Sequence, residues 1–447
     1  MDKRQTYKDV LRLALPAVGE MTLFMLIWVF DTMIVGQYGG NLLVTSVSLS
    51  SQVISTFENI FIGVGLAVGM TSIVARKIGA KLHDDAEEFS SLGIMIATII
   101  ALITSAIFFM FAEPILIGAK ADANVLKYGT NYMRICSIGL FFSMITTSLN
   151  SILRGYGNTK TPLLVTTVVT IVNLSLDILL VFGLLGFPEL GANGAAIATT
   201  TAKIIGFLCI LIYMMKKSPI KPRLKYVKSF NHKRLKELLI LAIPSGLQEA
   251  AFSISRLINT FMIMSLGSVA FSANSITTTI ESISFNPGWG FAVAATALVG
   301  QAIGEKNYKK AKDYGQASLV LGCIVMGVFS LMFLFIPNTL VSMFITESEI
   351  EVIKLGTTCV MIAAVEQIPM AISMIVGGAL KGIGDTKTPF IVSFFTSWCV
   401  RLPLMFLAIS VLKLPVTAVW WITGIQWLLD GALIYVQYKK RFRNLQH

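Results

Sequence analysis

Arg154-Gly155-Tyr156-Gly157-Asn158-Thr159-Lys160-Thr161-Pro162 returns 227 residues later as Lys381-Gly382-Ile383-Gly384-Asp385-Thr386-Lys387-Thr388-Pro389. Two further landmarks repeat at nearly the same distance. Leu13-Ala14-Leu15-Pro16 returns as Leu241-Ala242-Ile243-Pro244, at an offset of 228. Gly65-Leu66-Ala67-Val68 returns as Gly290-Phe291-Ala292-Val293, at an offset of 225, with Ile78-Gly79 matching Ile303-Gly304 beyond it. One shared offset across three landmarks marks a chain built of two duplicated halves. The glycines of the repeated loop suit a tight turn, and its proline suits the first turn of the helix that follows. The loop is not a phosphate cradle, since the Gly-x4-Gly-Lys-[Ser/Thr] pattern is absent.

Between these landmarks the chain is apolar. Of its 447 residues, 55% are hydrophobic and 13% charged, against about 25% charged in a water-soluble protein. Apolar runs longer than about 18 residues recur throughout, each long enough to cross a bilayer as a helix. The spans are 11–38, 44–75, 90–112, 127–153, 161–186, 191–215, 236–266, 270–302, 314–336, 352–380, 388–412 and 415–437. They predict an all-α membrane protein of twelve transmembrane helices. Residues 1–215 form an N-terminal six-helix bundle, 216–235 a cytoplasmic linker and 236–447 a C-terminal six-helix bundle. Six crossings per half give both halves the same orientation, related by a pseudo-two-fold axis along the membrane normal. Such pairs are expected to rock around a central cavity and give alternating access. Pro287 is expected to kink the eighth helix.

The net charge of +12 does not indicate nucleic acid. Lys and Arg concentrate in alternate connections and at the termini, and only Lys120, Lys127, Lys354 and Lys413 fall on the opposite side. That is the positive-inside asymmetry, which places both termini, the 216–236 loop and the basic tail Lys439-Lys440-Arg441 in the cytoplasm. No exposed basic face with readout groups is visible. Cys136, Cys209, Cys323, Cys359 and Cys399 lie in apolar runs without a CxxC pair and read as packing residues. No small-residue cleavage site follows the first apolar run, which is expected to be an uncleaved anchor. His83, His232 and His447 lie in loops or at the tail, without HExxH or Gly-x-Ser-x-Gly, so an enzyme is not expected. No cofactor is expected beyond a coupling ion.

Ionisable groups within the spans are costly, about 2.5–3.5 kcal/mol each, and default to functional candidates. Asp31 in the first span, Asn173 and Asp177 in the fifth and Thr199 in the sixth fall roughly 10–20 Å below the outer surface at 1.5 Å per residue. Asn173 and Asp177, four apart, share a face. Hard cations such as Na⁺ want such oxygens, and a desolvated carboxylate can instead carry a proton. The repeat supplies a control: Asp31 aligns with Asn259, and Asn173 and Asp177 with Val400 and Leu404. The second half keeps the scaffold without these acids, which favours a coupling role over an interhelical hydrogen-bond pair. Thr199 has an alternative as a threonine bonded to its own backbone.

Lys203 shares a face with Thr199 and would replace the cation if it reached Asp177. The reading adopted is that it snorkels inward or pairs elsewhere. Glu249 and Glu366, near mid-membrane in the second half, are candidates for substrate or a second cation, Glu249 with Arg256 as a structural alternative. Glu58 and Glu281 occupy near-equivalent places and read as scaffold. Glu20 reads as half of a buried pair, with a proton relay as the alternative. Arg134 and Arg401 read as partners of acids.

Phe30-Asp31-Thr32 with Gly36, the two Gly-x-Gly-[Asn/Asp]-Thr-Lys-Thr-Pro loops, Gly194-Ala195-Ala196-Ile197-Ala198-Thr199, and Val299-Gly300-Gln301 with Ile303-Gly304 together resemble the multidrug and toxic compound extrusion (MATE) family over essentially the whole chain. The resemblance implies two six-helix bundles around a V-shaped cavity, and export of organic cations and drugs in exchange for Na⁺ or H⁺. Asp31, Asn173, Asp177 and Thr199 match the family's N-lobe cation positions. Some branches of the family use helix-7 and helix-10 carboxylates. Glu249 lies closer to its helix proline than that pattern has it. The expected partners are small organic cations and membrane lipid, with no nucleic acid, and the chain is expected to act as a monomer in the plasma (inner) membrane.

The alternatives are a lipid-linked oligosaccharide flippase of the same superfamily and a channel. A flippase of that kind carries a cationic cavity, whereas the first half here is acidic within the membrane. Duplicated halves with a one-sided ion site suit a carrier better than a channel.

Overall fold

The computed structural model describes residues 3–119, 121, 123–345 and 349–446, with backbone alone for Asn41 and Gln446. Lys120 and His447 lie outside the described residues. No strand occurs among the described residues, and helix follows helix. We number the long helices α1 (Lys3–Gly40), α2 (Leu42–Gly79), α3 (His83–Met110), α4 (Ala123–Tyr156), α5 (Lys160–Phe182), α6 (Ala192–Lys216), α7 (His232–Met264), α8 (Ser268–Gly304), α9 (Tyr308–Phe335), α10 (Ile350–Ile383), α11 (Lys387–Val411) and α12 (Val416–Leu445). All but α8 combine the length and apolarity needed to cross a membrane. At 37 residues α8 is long enough, but Ser, Thr and Asn dilute its apolar run. Its hydroxyls bond one turn back, Ser275 to the Phe271 carbonyl at 2.9 Å and Thr277 to that of Ala273 at 2.8 Å. Such bonds let a polar helix sit in an apolar setting.

Large apolar side chains stand exposed along the helices, among them Leu102, Ile103 and Met110 on α3 and Ile324, Val328 and Leu331 on α9. A surface this apolar is unsuited to water and suited to lipid. The chain is a multi-pass membrane protein. Gly40, at φ +61°, separates α1 from α2. Nothing lies within 4 Å of a Cβ built there, so the left-handed backbone alone calls for glycine.

The chain packs as two compact units: Gly19–Gly246, and Met1–Val18 together with Leu247–His447. The starts of α1 and α7 are thus exchanged between the halves. In the first unit, a Cβ at Gly65 of α2 would lie 3.4 Å from Gly246 Cα of α7. In the second, a Cβ at Gly290 of α8 would lie 2.8 Å from the Val18 nitrogen of α1. Both glycines belong to the Gly-x-Ala-Val landmark, which is therefore a seat for an arriving helix.

The repeated loop has the same construction in each unit. Its first glycine permits close helix approach: a Cβ at Gly155 would lie 2.8 Å from the Thr71 carbonyl oxygen, and one at Gly382 2.7 Å from that of Thr296. The same threonines bond across the contact, Thr71 to the Ser151 carbonyl at 3.1 Å and Thr296 to that of Gly378 at 2.9 Å. The second glycine takes positive φ, 94° at Gly157 and 96° at Gly384. Asn158 then accepts from the Thr161 amide at 3.1 Å, and Asp385 from the Thr388 amide at 3.0 Å, starting the next helix.

The linker lies along α3. Arg223 holds Glu87 at 2.8 Å, the Arg223 amide donates to Ser91 at 2.8 Å, and Arg234 reaches Asp85 at 2.8 Å and Glu88 at 3.1 Å.

Candidate cation site and buried charge clusters

In the first unit α1 delivers Asp31, α5 delivers Asn173 and Asp177, and α6 delivers Thr199. The four side chains meet. Asp31 is within hydrogen-bonding reach of Asp177, Asn173 and Thr199, and the Asn173 carboxamide donates to Thr199 Oγ1 at 3.3 Å. Asn173 and Asp177 are buried, and Asp31 and Thr199 half-buried. As carboxylates the two aspartates have no donor to share. Asp31 Oδ1, Asn173 Oδ1 and both Asp177 oxygens are buried without a hydrogen bond. A buried acceptor left in this state is costly, and two anionic ones more so. A proton on one carboxylate, or a cation among the oxygens, removes that cost.

Lys203, one turn past Thr199, points to another acid. Its Nζ lies 3.9 Å from Glu58 Oε2 on α2, and Ser143 of α4 donates to the other Glu58 oxygen at 2.5 Å. Immediately after Glu58, α2 widens into π-turns over Asn59–Leu66, a feature frequent at functional sites. Glu20 forms the buried pair expected of it, its Oε1 2.6 Å from Arg154 Nη2. Arg134 differs from expectation: it is exposed and makes no ion pair among the described residues, and an exposed guanidinium needs no buried acid to offset its charge.

In the second unit Glu249 and Glu366 belong to separate clusters. Glu249 is half-buried, accepts from Ser253 at 3.4 Å and lies near Arg256 and Lys381. Glu366 is buried beside Glu281, with Arg401 close to both. Neither Glu366 oxygen has a hydrogen-bond partner among the described residues. Glu281, expected as scaffold from its repeat position, is here half of a carboxyl pair. Arg401 approaches acids as expected and also reaches Gln426 at 3.5 Å.

Sequence reasoning missed Asp430 on α12. It is buried and accepts from Ser373 and Thr396, each at 3.0 Å. The signal was present as a single acid inside the last apolar run.

Among the described residues no group of three His, Cys, Asp or Glu could hold a metal ion. The Asp31 cluster instead combines carboxylate, carboxamide and hydroxyl oxygens. The MatE family model matches residues 16–179 and again 244–407, two copies set 228 residues apart. The chain belongs to the MatE family. It is similar to "Probable multidrug resistance protein NorM" of Thermotoga maritima, 28% identical over 92% of this chain and 88% of that one. It is also similar to "Uncharacterized transporter YisQ" of Bacillus subtilis, 25% identical over 95% and 92%. Among solved structures, a MOP superfamily transporter from Pyrococcus furiosus aligns with TM-score 0.90 at 20% identity, covering 99% of this chain and 97% of that one. An outward-facing multidrug resistance MATE family transporter aligns at 0.91 and 19%, with the same coverage. These likenesses give this MatE protein the two-lobed fold that its repeats predict.

Proposed function

We propose that this MatE protein is a secondary antiporter that exports organic cations and drugs across the plasma membrane in exchange for Na⁺ or H⁺. The observation that carries the reading is the cluster of buried acceptor oxygens on Asp31, Asn173 and Asp177 that no protein donor satisfies. Na⁺ or a proton supplies the missing positive charge. The name of the NorM relative supports the drug substrate, and the acidity of the first half supports a cationic one. The concentration of Lys and Arg in alternate connections and at the termini supports cytoplasmic termini.

The cation enters the outward-open form at Asp31, Asn173 and Asp177 and neutralises the carboxylates. The drug leaves outward, and the cation-loaded carrier turns inward by alternating access. Coupling follows because cation and drug bind the two states with different affinities.

The test is efflux of a fluorescent organic cation from proteoliposomes under an imposed Na⁺ or pH gradient. The wild type responds to one gradient and names the ion, while Asp31→Asn and Asp177→Asn abolish the response. Transport indifferent to both aspartates would refute the site. Failure to move any cation, with movement of a lipid-linked substrate, would make the protein a flippase.

A further inference from the structure

The Lys203–Glu58 pair stands beside the Asp31 cluster and is used by nothing described so far. Its distance, 3.9 Å, exceeds a hydrogen bond, so charge alone holds the ammonium there. The Lys203 side chain is 27% exposed and that of Glu58 15%. Ser143 donates to the Glu58 oxygen that Lys203 does not face in the ion pair, Oε1. The lysine stem runs past a notch in α4, where a Cβ at Gly139 would lie 3.3 Å from Lys203 Cδ. Lys203 is also close enough for its charge to act on Asp31. At the 227-residue offset of the repeated loop, the second half places Asp430 where the first places Lys203, so the duplicated scaffold does not itself require an ammonium.

Within the proposed antiport reading, we infer that Lys203 is a tethered cation that competes with the transported ion for Asp31 and Asp177, and that Glu58 holds it off. With the ion bound, the aspartates are neutralised and the ammonium rests on Glu58. With the ion gone, the uncompensated aspartates draw Lys203 toward them. The pair thereby sets the concentration at which the coupling ion binds and helps its release. Other titratable groups facing this space are Tyr132 and Cys136 of α4, and the Tyr132 hydroxyl is engaged with Ser51 at 3.0 Å.

The two members of the pair act on the site with opposite signs. Removing the ammonium takes away a like charge and tightens ion binding. Removing the Glu58 charge frees the ammonium and loosens it. At an effective dielectric constant of about 20, a unit charge several ångströms away changes affinity by about ten-fold or more.

The experiment is transport by the full chain in proteoliposomes, reading the half-saturating concentration of Na⁺ and, separately, of H⁺. Lys203→Met is expected to lower it about ten-fold, Glu58→Gln to raise it several-fold, and Lys203→Arg to stay near wild type. The double variant behaves as Lys203→Met, since Glu58 acts through the lysine. If Lys203→Met does not fold, Glu58→Gln and Lys203→Arg decide. Unshifted values, or shifts of the same sign for Lys203→Met and Glu58→Gln, overturn the inference. If Asp31→Asn with Asp177→Asn abolishes ion dependence while the pair's variants shift nothing, this inference fails alone. A wild type responding to neither ion, or a double-aspartate variant that still responds, removes the site and the inference together.

Discussion

Removing Arg154 strands a carboxylate in the interior of the first unit. Glu20 is fully buried, and its partner's side chain is 10% exposed, with 2.6 Å between Nη2 and Oε1. Solvent therefore does little to screen the pair, and the cost of breaking it is the cost of an uncompensated buried charge, about 3–5 kcal/mol. For a unit of residues 19–246, each kcal/mol moves the midpoint by about 2–4 °C. Arg154→Met and Glu20→Gln should each lower the apparent midpoint by roughly 6–20 °C. The double variant removes both charges and should recover most of the loss, because neutral replacement of a buried pair is close to neutral in stability. Thermal unfolding of the purified protein in one detergent, at one scan rate, measures all four corners of the cycle. Additive losses in the double variant, or single losses below about 2 °C, would refute the reasoning and make Glu20 and Arg154 neighbours without interdependence.

Further outcomes follow from the same geometry. Asp430→Ala leaves the Ser373 and Thr396 hydroxyls without their acceptor, and should cost about 1–3 kcal/mol for each hydroxyl that finds no substitute; the fall in midpoint should be smaller for Asp430→Asn, which keeps one acceptor oxygen. Gly382→Ala must push α10 away from the Thr296 carbonyl and should cost about 1–3 kcal/mol, while Gly384→Ala pays about 1–2 kcal/mol for its left-handed backbone, both read as midpoints. Arg223→Ala removes the half-exposed partner of the buried Glu87, which among the described residues keeps only the Lys221 amide at 3.3 Å, and should cost about 1–3 kcal/mol; limited trypsin digestion should also cut the 216–235 segment faster, since that side chain and its neighbours hold the linker on α3.

The duplication, the helix count and the membrane setting were legible because each rests on a local pattern. Apolar length gives a span, and a nine-residue loop with two glycines and a proline is too specific to recur by chance. The exchange of helix starts was not legible. Pro16 and Pro244 mark the same place in each half, but nothing in Leu-Ala-x-Pro states which bundle the preceding turns join. That is decided by backbone approach at Gly65 and Gly290, where absence of a side chain is the signal. Linker docking was hidden for a similar reason: acids at Asp85, Glu87 and Glu88 read as a solvated helix start until Arg223 and Arg234 are brought to them across more than 130 residues.

The meeting of Asp31, Asn173, Asp177 and Thr199 was legible from depth, since α1, α5 and α6 place them at one level. Glu281 beside Glu366 was not, because depth does not say which faces of two helices meet, and Glu281 was read through its repeat partner Glu58. Asp430 and Asp177 show what depth leaves out. Both are buried carboxylates in apolar helices, and from sequence they are equivalent. In the fold Asp430 has its hydroxyl donors in place, whereas both oxygens of Asp177 have none. A satisfied carboxylate holds helices together and gains nothing from a cation, while an unsatisfied one beside a second carboxylate is completed by one. Asp430→Asn should therefore lower stability and leave ion dependence intact, and Asp177→Asn should abolish ion dependence while leaving the fold at least as stable, since it removes one of two facing charges. Reversal of that pattern, in a thermal midpoint and a gradient-driven efflux rate measured on the same preparations, would mean that hydrogen-bond occupancy does not separate structural from functional acids in this membrane protein.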